Sequence, residues 1–262
     1  MAKTLLFIVN PRAGRTRSSA PLFDVVVHFS QAGYLVAVRQ TGARGDATRF
    51  AREEGGNFDL VACFGGDGTL NEVVAGLMAR TITSSAGRQL DVGSFNGRPF
   101  VYVASFGAFT RASYSAPQSV KNDLGHLAYI LEGVKDISTL RPYRATITAD
   151  GEVLEGSFLF GAITNATSVG GLVKLQEDKV VLDDGRFELL LVPNPRSAQD
   201  LQALLRGLVL QDYTGGGFIF RHATDITVET PESFPWALDG EYGPGEARVE
   251  IQNLRRRLTF ML

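Results

Sequence analysis

The stretch Asp59-Leu-Val-Ala-Cys-Phe-Gly-Gly-Asp-Gly-Thr-Leu-Asn-Glu-Val-Val-Ala-Gly-Leu-Met78 decides the fold. Leu60 to Phe64 is a short apolar run of the kind a buried strand uses. Beyond the glycines, Leu70, Val73, Val74 and Leu77 recur at spacings of three and four, so one apolar stripe runs along a helix starting at Thr69. Strand, glycine turn and amphipathic helix in this order build a crossover unit of a parallel sheet. Gly65, Gly66 and Gly68 remove the Cβ atoms that would hold a ligand off the backbone. The N–H groups that open the helix, reinforced by its dipole, then suit phosphate oxygens. Asp67 has a reason to stand among them: a carboxylate near phosphates is repulsive unless Mg²⁺ lies between, and Mg²⁺ is commonly held by one or two carboxylates plus phosphate oxygens. A sharp turn merely capped by Asp67 is the alternative.

Upstream, apolar runs alternate with helical patterns: a strand from Leu5 to Asn10, a helix from Ala20 to Gln31, a strand from Leu35 to Thr41, and a helix from Gly45 to Glu54. This alternation predicts an α/β domain with a parallel sheet. Open α/β sheets gather ligands at the carboxyl ends of their strands. Asn10, Pro11, Arg12, Ala13 and Gly14 follow the first strand there, as a backbone loop that can touch a nucleotide or as an ordinary turn. Thr41 ends the second strand at the same edge.

Downstream the texture changes. Arg144 to Gly151 and Phe218 to His222 alternate polar and apolar residues, which predicts antiparallel pairing. Two helices interrupt it, one over 120–137 and one from Ala198 to Val209. The second opens on Ser197-Ala-Gln-Asp200, which resembles a capping box, and presents Leu201, Leu204, Leu205 and Leu208. The apolar pattern thins between Ala86 and Arg88, so the chain divides into residues 1–87, a nucleotide-binding α/β domain, and 88–262, an antiparallel β-sandwich domain with two helices.

Two acidic elements lie in the second part. Asp183-Asp184-Gly185 suits a cation or a hairpin turn capped by aspartate. In Trp236-Ala-Leu-Asp-Gly-Glu-Tyr242, Asp239 and Glu241 would share one face of a strand. A carboxylate pair with apolar walls suits general-base chemistry, and a solvated hairpin is the alternative.

Composition narrows the classes. The 262 residues are 44% hydrophobic with a net charge of −2, so no overall field draws nucleic acid or an anionic membrane. Cys63, the single cysteine, cannot form an internal disulfide and reads as a small core residue in a reducing, cytoplasmic protein. No run reaches the roughly 18 apolar residues of a membrane span, so a lipid substrate would be met at the membrane surface by a peripheral protein. A second copy of the chain is a candidate partner.

The residues resemble one family, the bacterial diacylglycerol kinases, which are related to the sphingosine kinases. The likeness is carried by Asn10 to Gly14, Thr41 with Gly45-Asp-Ala47, Gly65 to Thr69 with Asn71-Glu72, Asp91-Val-Gly93, Lys121 to Tyr129, Asn165 with Gly170-Gly171, Leu182 to Gly185, and Leu238 to Glu241. The resemblance implies a lipid kinase using ATP and Mg²⁺, with an α/β nucleotide domain, a β-sandwich domain and an active site in the cleft between them. It implies ATP contacts from Asn10, Pro11, Arg12, Ala13, Gly14, Thr41, Gly65, Gly66, Asp67, Gly68, Thr69, Leu70 and Asn71. Asp184 would hold a structural Mg²⁺ with the backbone carbonyls of Phe187 and Leu189, and Asp239 and Glu241 would be the base and its partner. One family element, a strand followed by Gly-Thr-x-Asn-Asp-Phe, has no counterpart, because Leu77-Met-Ala-Arg80 runs almost directly into Ile82 to Gly87. Its loss predicts an extra open edge beside the third strand. It also keeps in view a catalytically inactive nucleotide- or lipid-binding homologue. The NAD kinases share the glycine loop, but their Thr-Pro-Thr-Gly-Ser-type segment is absent here.

Overall fold

Leu5 to Val9 are all nearly inaccessible, and this continuous apolar run is what a central parallel strand requires, since both of its faces are covered. In the computed structural model it forms β1 (Lys3–Val9), flanked by the parallel strands β2 (Tyr34–Gln40) and β3 (Leu60–Phe64) in the order β2-β1-β3. The structure describes residues 3–12, 20–78, 88–107, 141–169, 173–175, 180–213, 215 and 217–260.

Side chains alternate along β1 and so sort the helices. Leu5, Phe7 and Val9 pack with Val25, Val26 and Phe29 of α1 (Ala20–Gln31). Leu6 and Ile8 pack with Ala47 and Ala51 of α2 (Asp46–Glu54) and Val73 of α3 (Asp67–Met78). Helices thus cover both faces of the sheet. The boundaries expected from periodicity hold to within about two residues, and α3 shows why the difference arises. The N–H groups of Thr69 and Leu70 both donate to the carbonyl of Gly66, so the helix begins at Asp67 rather than at Thr69.

Helices α2 and α3 touch closely at Gly76, where an added Cβ would lie 2.4 Å from the Thr48 carbonyl oxygen. That oxygen belongs to helical backbone and cannot move aside cheaply. Gly76→Val is therefore expected to cost about 2 kcal/mol and to lower the unfolding midpoint by about 5 °C or more, measured by thermal denaturation. A variant as stable as the parent would show that the two helices separate without cost.

The second compact unit, Gln89–Arg257, is built on one antiparallel sheet, while Leu258–Leu262 group with Met1–Arg88. Its strands are β4 (Arg88–Phe95), β5 (Arg98–Phe100), β6 (Val103–Gly107), β7 (Tyr143–Ala149) and β8 (Glu152–Thr164), then β11 (Phe187–Pro193), β12 (Ile219–Ala223), β13 (Asp225–Glu229), β14 (Trp236–Leu238), β15 (Glu241–Gly243) and β16 (Arg248–Phe260). The short β9 (Ser168–Val169) and β10 (Val173–Lys174) pair apart from it. The main path runs β15-β14-β6-β8-β7-β13-β16-β4-β5, and β11 joins β8 to β12. Strand β8 is the spine: Glu152 to Phe158 pair with β7, and Phe160 to Thr164 pair with β6 on one side and β11 on the other.

The sheet curls on itself. Phe95 of β4 and Trp236 of β14 are remote along the strand order, yet their rings meet at 5.1 Å. Phe100 of β5 likewise stacks on Phe187 of β11 at 5.6 Å. The enclosed core includes Phe106, Ile147, Ile163, Leu189, Leu191 and Ile251. A second cluster on the opposite face, with Phe160, Leu190, Tyr213 and Phe218, is covered by Leu204 of α4 (Ala198–Leu210). The capping box at its start is reciprocal: Asp200 N–H donates to Ser197 Oγ at 3.1 Å, and Ser197 N–H donates to the Asp200 carboxylate at 3.0 Å. Leu201 is half-buried, and the side chains of Leu205 and Leu208 lie outside the described set, as does the helix expected over 120–137.

Candidate active site

The carboxyl ends of β1, β2 and β3 come together through hydrogen bonds that local sequence does not announce. Asn10 is the central tie. Its N–H donates to Phe64 O at 2.8 Å, its side-chain amide donates to Thr69 Oγ1 at 3.1 Å, and its Oδ1 accepts from Arg12 N–H at 3.0 Å. Thr41, buried at the end of β2, donates its N–H to Val9 O at 2.9 Å. One asparagine thereby joins the loop after β1 to the glycine turn and the first turn of α3.

Gly65 and Gly66 are glycines for different reasons. A Cβ on Gly65 would lie 2.4 Å from Thr69 Oγ1, so only glycine allows the turn to close on the helix. A Cβ on Gly66 would meet nothing within 4 Å. The backbone there faces open space, which is the room a phosphate needs at the start of a helix. Gly68, Leu70 and Asn71 lie in that first part of α3, with Asp67 as its opening residue. The loop therefore fits a nucleotide phosphate, although the Asp67 side chain, Ala13 and Gly14 lie outside the described set. Pro11 and Arg12 are exposed beside Asn10.

Glu72, which the sequence offered only as part of a motif, has a specific task. Its carboxylate accepts from Gly45 N–H at 2.9 Å and Ala47 N–H at 3.2 Å, and its carbonyl accepts from Thr48 Oγ1 at 2.9 Å. A side chain of α3 thus caps the N-terminus of α2 from 25 residues away, and Gly45 supplies the required positive φ of 90°.

The hairpin expected to carry paired carboxylates departs from the strand reading. Asp239 and Gly240 are the two turn residues between β14 and β15, with φ of 50° and 80°. This is the arrangement of a two-residue hairpin with positive φ at both positions, for which Asp-Gly is a preferred sequence. Asp239 and Glu241 therefore do not alternate along one strand. Asp239 is buried, and its carboxylate accepts from the N–H groups of Val101 at 2.8 Å, Tyr102 at 2.8 Å and Val103 at 2.9 Å. It anchors the segment joining β5 to β6. Glu241, half-buried, begins β15 opposite Leu238.

The Asp183-Asp184-Gly185 loop is held by a residue that sequence reasoning had placed only in a motif. Asp91 of β4, 1% exposed, accepts from Gly185 N–H at 2.6 Å and from Arg256 N–H at 2.7 Å. Asn165, following β8, donates to Asp91 O at 3.1 Å and Leu182 O at 3.2 Å. Asp184 is exposed and accepts from Arg186 N–H at 2.8 Å, so it closes a local turn with one oxygen. Phe187 and Leu189 are fully buried in β11. Leu189 has strand partners on both sides, Arg221 and Ile163, but a carbonyl oxygen has two lone pairs and ladder membership does not exhaust them.

Between them lies Glu188, also 1% exposed. Burial pushes its carboxyl up to about 8; its own N–H opposes the shift and the negative charge of Asp184 adds to it. His222 Nε2 stands 3.9 Å from Oε1, while Oε2 is buried with no hydrogen-bond partner. A glutamate inside the apolar run Phe187-Glu-Leu-Leu-Leu-Val192 was the sequence signal for this site. An orphaned acceptor beside a second carboxylate fits a hard cation such as Mg²⁺.

Residues 4–97 match the family model of the diacylglycerol kinase catalytic domain. The chain is similar to a diacylglycerol kinase of Bacillus subtilis (strain 168), 32% identical and spanning 99% of this chain and 96% of that one. It is also similar to one from Staphylococcus aureus (strain bovine RF122 / ET3-1), 27% identical over 98% and 92% of the two chains. A crystal structure of a diacylglycerol kinase from Bacillus anthracis str. Sterne shares the fold, with a TM-score of 0.77 at 22% identity over 98% of this chain and 96% of that one. The alignment with the Bacillus subtilis protein covers 294 positions against 262 residues here, so at least 32 of those positions have no residue in this chain. Residues 79–87, where the sequence places the lost element, lie outside the described set, and β3 is an edge strand among the described residues, with Phe64 at its end 37% exposed. Near-complete coverage at 32% identity shows that the chain belongs to the diacylglycerol kinase family and is an ATP-dependent lipid kinase.

Proposed function

We propose that this protein transfers the γ-phosphate of ATP to the hydroxyl of diacylglycerol or a closely related lipid at the membrane surface, from the cytoplasmic side. The observation that carries the reading is the tie of Asn10 to both Phe64 and Thr69, which holds two backbone loops and the start of α3 at one edge of the parallel sheet. Residues 1–87 act as the nucleotide domain, with phosphates on Gly65 to Thr69 and further contacts from Asn10 to Gly14, Thr41, Leu70 and Asn71. Residues 88–262 supply the carboxylates. Asp67 is the residue to hold Mg²⁺ at the phosphates, where the ion supplies positive charge against the γ-phosphate. Asp184, with the carbonyls of Phe187 and Leu189, is the residue to hold a second, structural ion.

The base is Glu241. Asp239 has given its lone pairs to three backbone N–H groups, which suits it to hold the hairpin rather than to exchange a proton. As the lipid oxygen forms its bond to phosphorus, Glu241 takes the hydroxyl proton, the β–γ bridging bond breaks, and ADP leaves with the electron pair. Positioning and charge stabilisation do the rest.

The direct test incubates the full chain with γ-labelled ATP, Mg²⁺ and vesicles containing diacylglycerol, with NAD as a competing acceptor. Label extracted with the lipid is expected. Label on NAD, or nucleotide-dependent thermal stabilisation with no transfer to either acceptor, would overturn it. The second of these outcomes is the inactive-homologue reading.

No described helix is long and apolar enough to cross a membrane, so contact with lipid falls to the surface. Arg255, Arg256 and Arg257 are exposed on β16, and Arg256 already faces Asp183 at 3.7 Å. With about 1 kcal/mol for each arginine near an anionic surface, Arg255→Ala/Arg257→Ala is expected to weaken binding to anionic vesicles in low salt by about tenfold or more. Binding equal to the parent in vesicle sedimentation would remove the patch from consideration.

A further inference from the structure

We infer that Glu72 is a positioning residue for ATP, a role that rests on the nucleotide binding at this edge of the sheet. Its carboxylate holds the loop between β2 and α2 in register with the glycine turn, so that one nucleotide meets both.

The loop at residues 41–45 cannot owe its shape to packing, since Gly42, Ala43 and Arg44 are all exposed. Hydrogen bonds shape it instead. Thr41 N–H donates to Val9 O at 2.9 Å, and the Asp46 carboxylate accepts from Gly42 N–H at 2.8 Å and Ala43 N–H at 2.9 Å. Asp46 opens the helix that follows, so its bonds fold the loop locally without fixing where it stands. Glu72 does fix it. Its Oε1 accepts from Gly45 N–H and its Oε2 from Ala47 N–H, at 2.9 and 3.2 Å. Glu72 belongs to α3, five residues after Asp67. One rigid helix thus carries the glycine turn at its start and the hold on the second loop about 7.5 Å further along its axis.

The same bonds sort the parts of a nucleotide. The N–H groups of Gly42, Ala43, Gly45 and Ala47 are all given to carboxylates, and two carboxylates repel a phosphate. At Gly66, by contrast, the backbone faces open space. Phosphates therefore have their seat at α3, and the loop before α2 is left to the uncharged nucleoside. A purely structural Glu72 is the competing arrangement. It would only steady α2 on α3, as Thr48 does by donating from Oγ1 to Glu72 O at 2.9 Å, and it predicts lower stability with unchanged use of ATP.

The test is steady-state transfer from Mg²⁺-ATP to diacylglycerol in vesicles by the full 262-residue protein, with thermal unfolding across an ATP series on the same samples. Glu72→Gln keeps the shape of the side chain but turns an NH₂ group toward Gly45 or Ala47 N–H, which frees one end of the hold. KM for ATP is expected to rise by about tenfold or more while kcat per folded molecule stays within about twofold, with the ATP dependence of the midpoint moved by the same factor. Thr48→Val removes the structural tie alone and is expected to lower the midpoint with KM unchanged. A parent-like KM in Glu72→Gln, or a KM raised as much in Thr48→Val, overturns the inference. Should Glu72→Gln fail to fold, Gly45→Ala strains the same junction at its φ of 90°, where the added Cβ meets nothing within 4 Å. It is expected to raise KM by about threefold or more, and a parent-like KM there overturns the inference too. A parent that transfers no phosphate removes the kinase reading itself. The ATP dependence of the midpoint then decides, and equal dependence in parent and Glu72→Gln overturns the part given to Glu72.

Discussion

Lipid phosphorylation by Glu241→Gln is expected to fall by a hundredfold or more, the scale on which a positioned general base is felt, with the unfolding midpoint unchanged. The neighbouring carboxylate should behave in the opposite way. In Asp239→Asn the amide oxygen can still receive Tyr102 and Val103, but its NH₂ then faces the N–H of Val101, and a buried donor loses its partner. That costs about 2 to 3 kcal/mol of stability, which thermal denaturation reads as a midpoint lowered by about 5 °C or more. The pair of variants separates a base from an anchor, because turnover per folded molecule and the midpoint are measured on the same samples. Parent-like turnover in Glu241→Gln would take the base away from this hairpin.

Asp67→Asn should reduce turnover with Mg²⁺-ATP by about a hundredfold or more, the size of effect produced when charge stabilisation of a transition state is lost. Folding should be nearly untouched. Asp67 is the opening residue of α3, and the Thr69 and Leu70 N–H groups bond to the carbonyl of Gly66 rather than to residue 67, so asparagine there leaves these bonds in place. Steady-state kinetics at several Mg²⁺ concentrations, with thermal denaturation alongside, provide the measurement. Unchanged kcat/KM would mean that the phosphates are held by the glycine backbone alone.

The two halves of the chain differed in how openly they could be read. Leu5 to Val9 and Leu60 to Phe64 were legible as strands because each is a short continuous apolar run, and α1, α2 and α4 as helices because their faces repeat every 3.6 residues within a short window. The strand-glycine-helix unit was legible for the same reason, and with it the phosphate loop. The Asp239-Gly240 turn was legible in principle, since Asp-Gly between apolar runs is a hairpin signal. A hairpin was the alternative reading of the two acids, but as a solvated one, whereas Asp239 is buried.

The sequence by itself therefore determined the parallel α/β unit, the antiparallel character of the second unit, the glycine loop and the family. Tertiary structure alone decided that Asp239 closes on Val101 to Val103 from 136 to 138 residues away, that Asp91 joins Gly185 to Arg256, that Glu72 caps another helix, and that Glu188 and Asn165 each bury an oxygen without a partner. The reason is physical. Periodicity records which face of an element is buried, but a buried polar group takes its meaning from partners set by strand register and sheet curl, and those are fixed only when the whole sheet has formed.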